Sequence, residues 1–284
     1  MYAARCSVMR MRATSRGERN DAGVDHDEPN RRSSLRRKRF EADDWSRSWP
    51  TGWTVEHVDE TGSTNSDLLE SADRRVDRSV LVADHQRAGR GRLDRRWEAP
   101  PGENLLVSVL FHRVPADPGE LLRRVSLAAV DAIRAEASSA GRVGLKWPND
   151  VLLVNDHAST KVAGVLAQRS GTGAVVVGIG INVGWCPVGG ARLGPGVSRG
   201  LLLRAMLRAY DRLPVGSEDL LDRYREELAT LGQHVRVETA TGGVVGVAVD
   251  VTALGQLVVR DADGAVHHVD VADVTHLRPT ARSD

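Results

Sequence analysis

The most informative stretch of the sequence is Ala83 to Leu110, ADHQRAGRGRLDRRWEAPPGENLLVSVL, in which a basic, glycine-punctuated loop joins two apolar segments. The flanking runs Ser79–Asp84 and Asn104–Phe111 are typical of buried strands. The GRGR motif at residues 89–92 places two guanidinium groups on a flexible loop, since glycine permits close backbone approach and arginine contacts carboxylate or phosphate through paired hydrogen bonds. Taken alone, the motif fits an anion site, an RNA-binding RGG-like tract or a solvated turn.

Outward from this loop, hydrophobic periodicity predicts an α+β domain with a mixed sheet and flanking helices over residues 49–231. The further predicted strands are Thr54–Val58, Val143–Trp147, Val151–Val154, Val162–Gln168 and Ala174–Val183. The predicted helices are Asn65–Ala72, Glu120–Ala137, Arg199–Leu213 and Ser217–Leu231.

Residues 232–284 change in pattern and predict a second, smaller domain. Short strands at Val235–Thr239, Gly246–Thr252, Leu257–Arg260 and Val266–Val271 are separated by turns rich in Gly and Asp, such as residues 241–243. Closely spaced short strands of this kind predict a small β-barrel of about 50 residues.

Residues 1–48 mix arginine clusters with Ser, Asp and Glu and lack apolar periodicity, so they are predicted to be a disordered basic extension. A nucleic-acid-binding arm is the alternative. Over the whole chain the net charge is +1, which gives no general reason to expect a nucleic acid or a membrane as partner. The two cysteines, Cys6 and Cys186, predict neither a disulfide framework nor a zinc site. Without an apolar signal or spanning segment, a cytoplasmic protein is expected.

Lysine is scarce in this chain, because the 39 Lys and Arg residues include only Lys38, Lys146 and Lys161. Where arginine is the usual surface cation, a lysine in the folded part is a candidate for chemistry that needs a compact ammonium group. Lys146 begins KWPND, which sets a cation, an amide and the carboxylate of Asp150 at one sheet edge. Lys161 begins KVAGVL, where a lysine enters an apolar strand. The alternative for KWPND is an ordinary β-turn, and the alternative for Lys161 is a lysine that keeps a strand edge soluble.

The segment GIGINV at residues 178–183 has glycines at the end of an apolar strand but does not fit a dinucleotide-binding loop. Its third glycine is misplaced, and residues 185–187 cannot begin the required helix. A Walker loop is excluded because no lysine follows Gly and precedes Ser or Thr. Ser198 is interpreted as a helix cap.

The motifs GRGRLDRRW, LLVSVLF, KWPND, KVAGVLAQ and GIGINV occur in an order and spacing that resemble the biotin–protein ligase family. The resemblance covers about residues 53–280 and is to the short form of the family, without its N-terminal DNA-binding domain. It implies a class II synthetase-like catalytic domain and a small C-terminal SH3-like barrel. It also implies that biotin is activated with ATP and Mg²⁺ as biotinyl-AMP, without a bound prosthetic group, and then transferred to a lysine of a biotin carboxyl carrier protein domain.

The resemblance also implies roles for residues at matching positions, with Lys161, Arg90 and Arg92 as catalytic groups. The implied biotin contacts are Ser63, Thr64, Asn65, Gln86, Gly89, Arg90, Arg92, Lys161, Gly164 and Gly178. The implied nucleotide contacts are Arg92, Arg95, Trp97, Lys146, Asn149 and Asn182. Asp150 is expected to hold a metal ion or to orient Lys146.

The chain departs from the family pattern at two places and leaves rival functions open. Asp94 stands where the family usually has Gly, and residues 156–160 are not the usual Gly- or Lys-rich turn. A homodimer is a possible assembly, and neither specific DNA binding nor a membrane is expected. A lipoate–protein ligase would share the fold but should lack the GRGR loop and KWPND. An RNA-binding protein using the arginine-rich tail is the other alternative.

Overall fold

A computed structural model of the chain describes residue 43 and residues 45–93, 95–154, 159–214, 217–239, 242–270 and 273–276. Asp94 and residues 156–158, which carry departures from the family pattern, lie outside the described residues.

The larger part of the structure is a seven-stranded mixed sheet in the order β1-β2-β3-β7-β6-β5-β4. Its strands are β1 (Thr54–Thr61), β2 (Ser79–Gln86), β3 (Leu105–Phe111), β4 (Arg142–Lys146), β5 (Asp150–Val154), β6 (Ser159–Arg169) and β7 (Val175–Ile181). Strands β1 and β2 are parallel, and every other neighbouring pair is antiparallel.

Within the residues that the structure describes, four α-helices flank or follow the sheet: α1 (Thr64–Glu70), α2 (Gly119–Glu136), α3 (Arg199–Arg212) and α4 (Ser217–Glu227). The prediction that Ser198 caps a helix is confirmed, because its side chain accepts a hydrogen bond from Leu201 N at the start of α3. The predicted continuation of α4 to Leu231 is wrong. After Glu227 the chain pairs with β4 instead, through Ala229 N to Leu145 O at 2.8 Å.

Strand alternation explains why one face of the sheet is filled and part of the other stays open. Val80, Val107 and Val177 point into the core that contains α2 and α3, whereas Leu81 and Val176 point to the opposite face, where Leu68 of α1 packs. Since α1 is short, it covers only one end of that second face. The remainder is the floor of a cavity.

The C-terminal part is a five-stranded antiparallel sheet in the order β11-β10-β9-β8-β12. Its strands are β8 (His234–Thr239), β9 (Gly242–Val251), β10 (Leu257–Arg260), β11 (Val266–Val269) and β12 (Asp273–His276). The predicted fold class, a mixed sheet with helices followed by a small β domain, is confirmed. Two details were wrong: Gly242 and Gly243 begin β9 instead of forming a turn, and β12 was not predicted.

The end of the predicted disordered segment 1–48 is ordered, which corrects that prediction for Asp43 and residues 45–48. Asp43 is 1% exposed, and the Trp45 ring stacks on His57 with the ring centroids 4.8 Å apart. Trp45 and Trp49 supply apolar aromatic surface through which this stretch packs on the domain. Residues 1–42 and Asp44 lie outside the described residues.

Among the described residues, no helix is both long enough and apolar enough to cross a lipid bilayer.

Candidate active site

The floor of the candidate site consists of small residues that face each other across three strands. The register pairs Ser108 of β3 with Gly178 of β7, and pairs Gly180 of β7 with Gly164 of β6. Ser108, Gly178 and Gly180 are on the sheet face away from α2 and α3, because each is an even number of residues along its strand from Leu110 or Val176, which pack under α1. Gly164 is on the same face because it pairs with Gly180. Glycine and serine leave this part of the face low enough to accept a ligand.

A chain of polar side chains closes one end of the floor. Thr64 donates its backbone N–H to Gln86 Oε1 at 2.8 Å, and its Oγ1 lies 2.7 Å from Ser108 Oγ. Ser108 Oγ in turn donates to Asn65 Oδ1 at 2.6 Å, and Asn65 Nδ2 donates to Gln168 Oε1 at 2.8 Å. Hydrogen bonding among buried groups fixes their directions. This end of the cavity is therefore a rigid set of donors and acceptors suited to a small polar ring.

The indole ring of Trp97 packs directly on two glycines of the floor, Gly164 and Gly180. A Cβ at Gly180 would overlap the indole ring, and one at Gly164 would lie 3.0 Å from it. Backbone hydrogen bonds hold the GRGR loop that precedes Trp97. Trp97 N donates to Gly89 O at 3.0 Å, and Gly91 N donates to Arg95 O at 2.7 Å. Trp97 Nε1 is buried and has no hydrogen-bond partner among the described residues.

Lys161 and Asp150 form an ion pair in the centre of the site, with Nζ 2.7 Å from Oδ1. Lys161 Nζ also lies 5.5 Å from the centroid of the Trp97 ring. Asp150 thus pairs with Lys161, although the sequence suggested that it might orient Lys146. The carboxylate holds the ammonium group over the glycine floor.

The KWPND turn fixes one arginine of the basic loop. Asn149 Oδ1 accepts from Arg92 Nη1 at 3.1 Å, while Asn149 Nδ2 donates to Val165 O at 2.8 Å. The turn itself is tied to the small domain, because Trp147 Nε1 donates to Gly255 O at 2.8 Å. Asn149 therefore places a guanidinium group at the cavity wall.

Asn182, expected to contact a nucleotide base, is 3% exposed and holds the neighbouring backbone. Its Nδ2 donates to Ala191 O at 2.9 Å, and its Oδ1 accepts from Asn104 Nδ2 at 3.1 Å. Ala191 N donates to Lys161 O at 2.8 Å. Asn182 thereby fixes the 184–191 loop against the strand that carries Lys161.

The structure brings all but one of the sequence-predicted site residues to a single cavity of about 780 Å³. The exception is Gly89, which lines an adjoining cavity of about 470 Å³ that also borders Trp97. The lining residues that the sequence did not predict include the neighbours of predicted residues, such as Gly91, Arg96 and Glu98, and also Ser108, Gly180, Trp185 and residues 187–190. The sequence did contain features that point to two of them. Ser108 is the only polar residue in the apolar run LLVSVLF, and Gly180 is the second glycine of the GIG motif.

Metal-binding clusters of three or more His, Cys, Asp or Glu side chains are absent from the part of the chain that the structure describes. Asp150, whose metal-binding role stays a prediction, is the only carboxylate among the predicted site residues.

Asp84 carries the clearest electrostatic effect near the site, two residues before Gln86. Burial raises its pKa, but the hydrogen bond with His57 and the charge and hydrogen bond of Arg199 outweigh burial, so the pKa lies below its ordinary value. A carboxylate with a depressed pKa in the folded state stabilises the fold above its unfolded pKa, and this contribution disappears as the pH falls through the folded value.

We therefore expect the free energy of unfolding to fall below about pH 4, and to fall less steeply in Asp84→Asn than in the unaltered chain. Urea denaturation of both proteins between about pH 5 and 3 measures the two slopes. Equal slopes would contradict the assigned role of Asp84.

Comparison with known proteins identifies two matching regions. Residues 57–185 match the Biotin/lipoate A/B protein ligase family, and residues 230–277 match the biotin protein ligase C-terminal domain. A relative from Mycobacterium tuberculosis, biotin–[acetyl-CoA-carboxylase] ligase, is 36% identical over 248 residues, which cover 80% of this chain and 91% of the relative. A protein of the same description from Paracoccus denitrificans is 40% identical over 136 residues, covering 46% of this chain and 55% of that protein.

Among solved structures, biotin protein ligase from Aquifex aeolicus in complex with biotin and ATP is similar to this fold with a TM-score of 0.66. It is 25% identical, and the match covers 79% of this chain and 99% of that one.

Proposed function

Because the chain belongs to the biotin–protein ligase family, we propose that it joins biotin and ATP into biotinyl-5′-AMP, releasing pyrophosphate, and then transfers biotin to a lysine of an acceptor protein. The Mycobacterium tuberculosis relative is named as a ligase of this kind, and the Aquifex aeolicus structure contains biotin and ATP, which supports both substrates. The acceptor is a biotin carboxyl carrier protein domain of a carboxylase. We further propose that the reaction takes place in the cytoplasm. That the chain forms a homodimer stays a prediction, which sedimentation can test.

One observation carries the proposal: a rigid polar end and a cationic centre share one cavity. The polar end, formed by Thr64, Gln86, Ser108 and Asn65, suits the fused ring of biotin, whose ureido group both donates and accepts hydrogen bonds. The cationic centre, with Lys161 and Arg92, suits a carboxylate and phosphates. Biotin can therefore lie with its fused ring at Ser108 and Gly178, the end of the floor next to Asn65, and with its carboxylate toward Lys161.

In the first step, an oxygen of the biotin carboxylate attacks the α-phosphorus of ATP, and the bond to pyrophosphate breaks. Two anions must approach, so fixed cations lower the barrier by offsetting charge where it accumulates. Lys161 and the two arginines of the loop supply these cations, and the Mg²⁺ that accompanies ATP neutralises its phosphates. The hydrogen bonds to Gln86 and Asn149 hold groups in place before the reaction, which contributes through positioning.

In the second step, the neutral amine of the acceptor lysine attacks the acyl carbon of biotinyl-AMP, AMP leaves, and the amine loses a proton as the amide forms. The mixed anhydride must be kept from water until the acceptor arrives. Trp97, whose ring lies against Gly164 and Gly180 of the floor, provides this cover together with the loop that carries it.

The experiment that tests the proposal is ATP–pyrophosphate exchange by the purified chain in the presence of biotin or lipoate. Exchange that depends on biotin is expected. Exchange supported by lipoate and not by biotin would establish the rival ligase, and exchange with neither acid would refute the proposal.

Arg90→Ala is expected to release biotinyl-AMP at least about tenfold faster, because a charged hydrogen-bond donor at the adenylate is lost. The measurement is the dissociation rate of labelled adenylate after dilution into unlabelled biotin and ATP. Arg74→Ala removes an exposed arginine from the turn after α1 and serves as the matched control. Unchanged retention in Arg90→Ala would contradict the assignment.

A further inference from the structure

Arg199 is the first residue of α3, and its guanidinium group is buried. It lies between Asp43 on one side and, on the other, the two ends of the loop that joins β2 to β3. Arg199 is 1% exposed, so its charge needs partners inside the protein. Three of its hydrogen-bond partners, Asp43, Asp84 and Asn104, come from separate parts of the sequence.

On one side, Arg199 is held by Asp43, which is also 1% exposed. Asp43 Oδ1 accepts the backbone N–H of Arg199 at 2.6 Å, and Oδ2 accepts Arg199 Nε at 2.7 Å. Arg199 Nη2 lies 2.6 Å from the same Oδ2. The carboxylate therefore both caps the N-terminus of α3 and fixes the plane of the guanidinium group.

On the other side, Arg199 holds both ends of the loop between β2 and β3. Its Nη1 donates to Asp84 Oδ1 at 2.8 Å, before the loop, and lies 3.5 Å from Asn104 O, after it. Asp84 O accepts the N–H of Gly102, the last turn of the loop, at 2.9 Å. One buried cation thus links the strand that carries Gln86 to the point where the loop returns.

Asn104 also connects Arg199 to the loop that follows β7, where Asn182, a predicted nucleotide contact, lies. Besides its bond to Asn182, its Oδ1 accepts Val183 N at 3.0 Å and Trp185 N at 3.2 Å. Trp185 lines both cavities. A change in the position of Asn104 would therefore reach the second loop of the site as well.

The segment that carries Asp43 is fixed on the domain by aromatic contacts. We define the N-terminal strap as Asp43 and residues 45–49. Trp45 stacks on His57, and the Arg204 guanidinium carbon lies 4.3 Å from the centroid of the Trp49 ring. Arg204 Nη2 also donates to Arg47 O at 3.4 Å. The strap is thus anchored independently of Asp43 and can hold its carboxylate in place.

We propose that Asp43 and Arg199 are positioning residues: through them, the N-terminal strap holds the 87–103 loop closed over the adenylate. This inference rests on the proposed function, since it concerns how long biotinyl-AMP is retained. Fixing both ends of a loop reduces the number of open conformations available to it. The strap slows the dissociation of biotinyl-AMP. Among the described residues, it forms no hydrogen bond with Lys161 or the loop arginines, so the cations that promote adenylation stay in place.

The test compares Asp43→Asn with the unaltered full chain. Asparagine keeps the volume but removes the charge and directs an amide donor at a guanidinium donor. We expect biotinyl-AMP to dissociate about tenfold faster, with the rate of adenylation within about twofold of the unaltered value. The amide hydrogen of Gly102 should exchange faster, a readout that does not depend on activity. Arg199→Lys, which keeps the charge but loses the planar fork, should behave in the same way.

Glu120→Gln is the matched control, because it breaks an ion pair of two largely buried side chains, Glu120 and Arg124, within α2. It should change neither retention nor exchange at Gly102. If Asp43→Asn lowers the melting temperature but leaves both readouts unchanged, the contact is only structural and the inference is overturned. If the unaltered chain forms no adenylate, the proposed function fails, and exchange at Gly102 still decides whether Asp43 positions the loop.

Discussion

Replacing Lys161 with alanine is expected to abolish adenylate formation, lowering the rate of biotin-dependent pyrophosphate exchange at least about 10³-fold. The ammonium group is held 2.7 Å from Asp150 and over the glycine floor, where the biotin carboxylate must meet the α-phosphate. A fixed donor at such a point is worth roughly 3 kcal/mol, and removing Lys161 also leaves the carboxylate of Asp150 to repel both substrates.

The matched control for this prediction is Arg169→Ala, which removes an exposed cation from the last position of the same strand, β6. Pyrophosphate exchange should be unaffected there, and both variants should melt close to the unaltered chain. Adenylation by Lys161→Ala at the unaltered rate would refute the catalytic assignment of Lys161.

Lys161 shows how much of the site could be predicted from the sequence. In a chain where nearly every cation is arginine, a lysine at the start of an apolar strand stands out, and the structure places it at the centre of the cavity. The loop arginines and the KWPND turn were found for a similar reason, because short motifs keep their chemistry within a few adjacent residues.

Residues that act through distant contacts left no such pattern. Asp43 meets Arg199 across 156 positions of sequence, so no local period or motif indicates it, and its surroundings resemble the charged segment before it. Ser108 was missed because one hydroxyl in an apolar strand is also compatible with core packing; the register of β3 against β7 is needed to place it on the floor. The face on which a strand residue lies depends on partners that a single sequence does not specify.

Replacing Gly178 with alanine is expected to raise the KM for biotin about 100-fold or more, since a change of about 2.7 kcal/mol corresponds to this factor. A Cβ at this position would overlap the carboxamide oxygen of Asn65 and lie 3.1 Å from Ser108 Oγ. Asn65 must then move, which breaks its hydrogen bonds to Ser108 and Gln168 and loosens the polar end of the cavity. Overpacking of this kind also costs about 1–3 kcal/mol of stability.

Stability and recognition can be separated by a second substitution. In Asn65→Ala/Gly178→Ala the clash is relieved, so the melting temperature should recover, but the KM for biotin should stay high because the carboxamide is gone. Gly171→Ala, where a Cβ would meet nothing within 4 Å, is the control and should leave the KM unchanged. If Gly178→Ala binds biotin normally, the ring of biotin does not lie against this part of the floor, and the orientation with its carboxylate at Lys161 would have to be reversed.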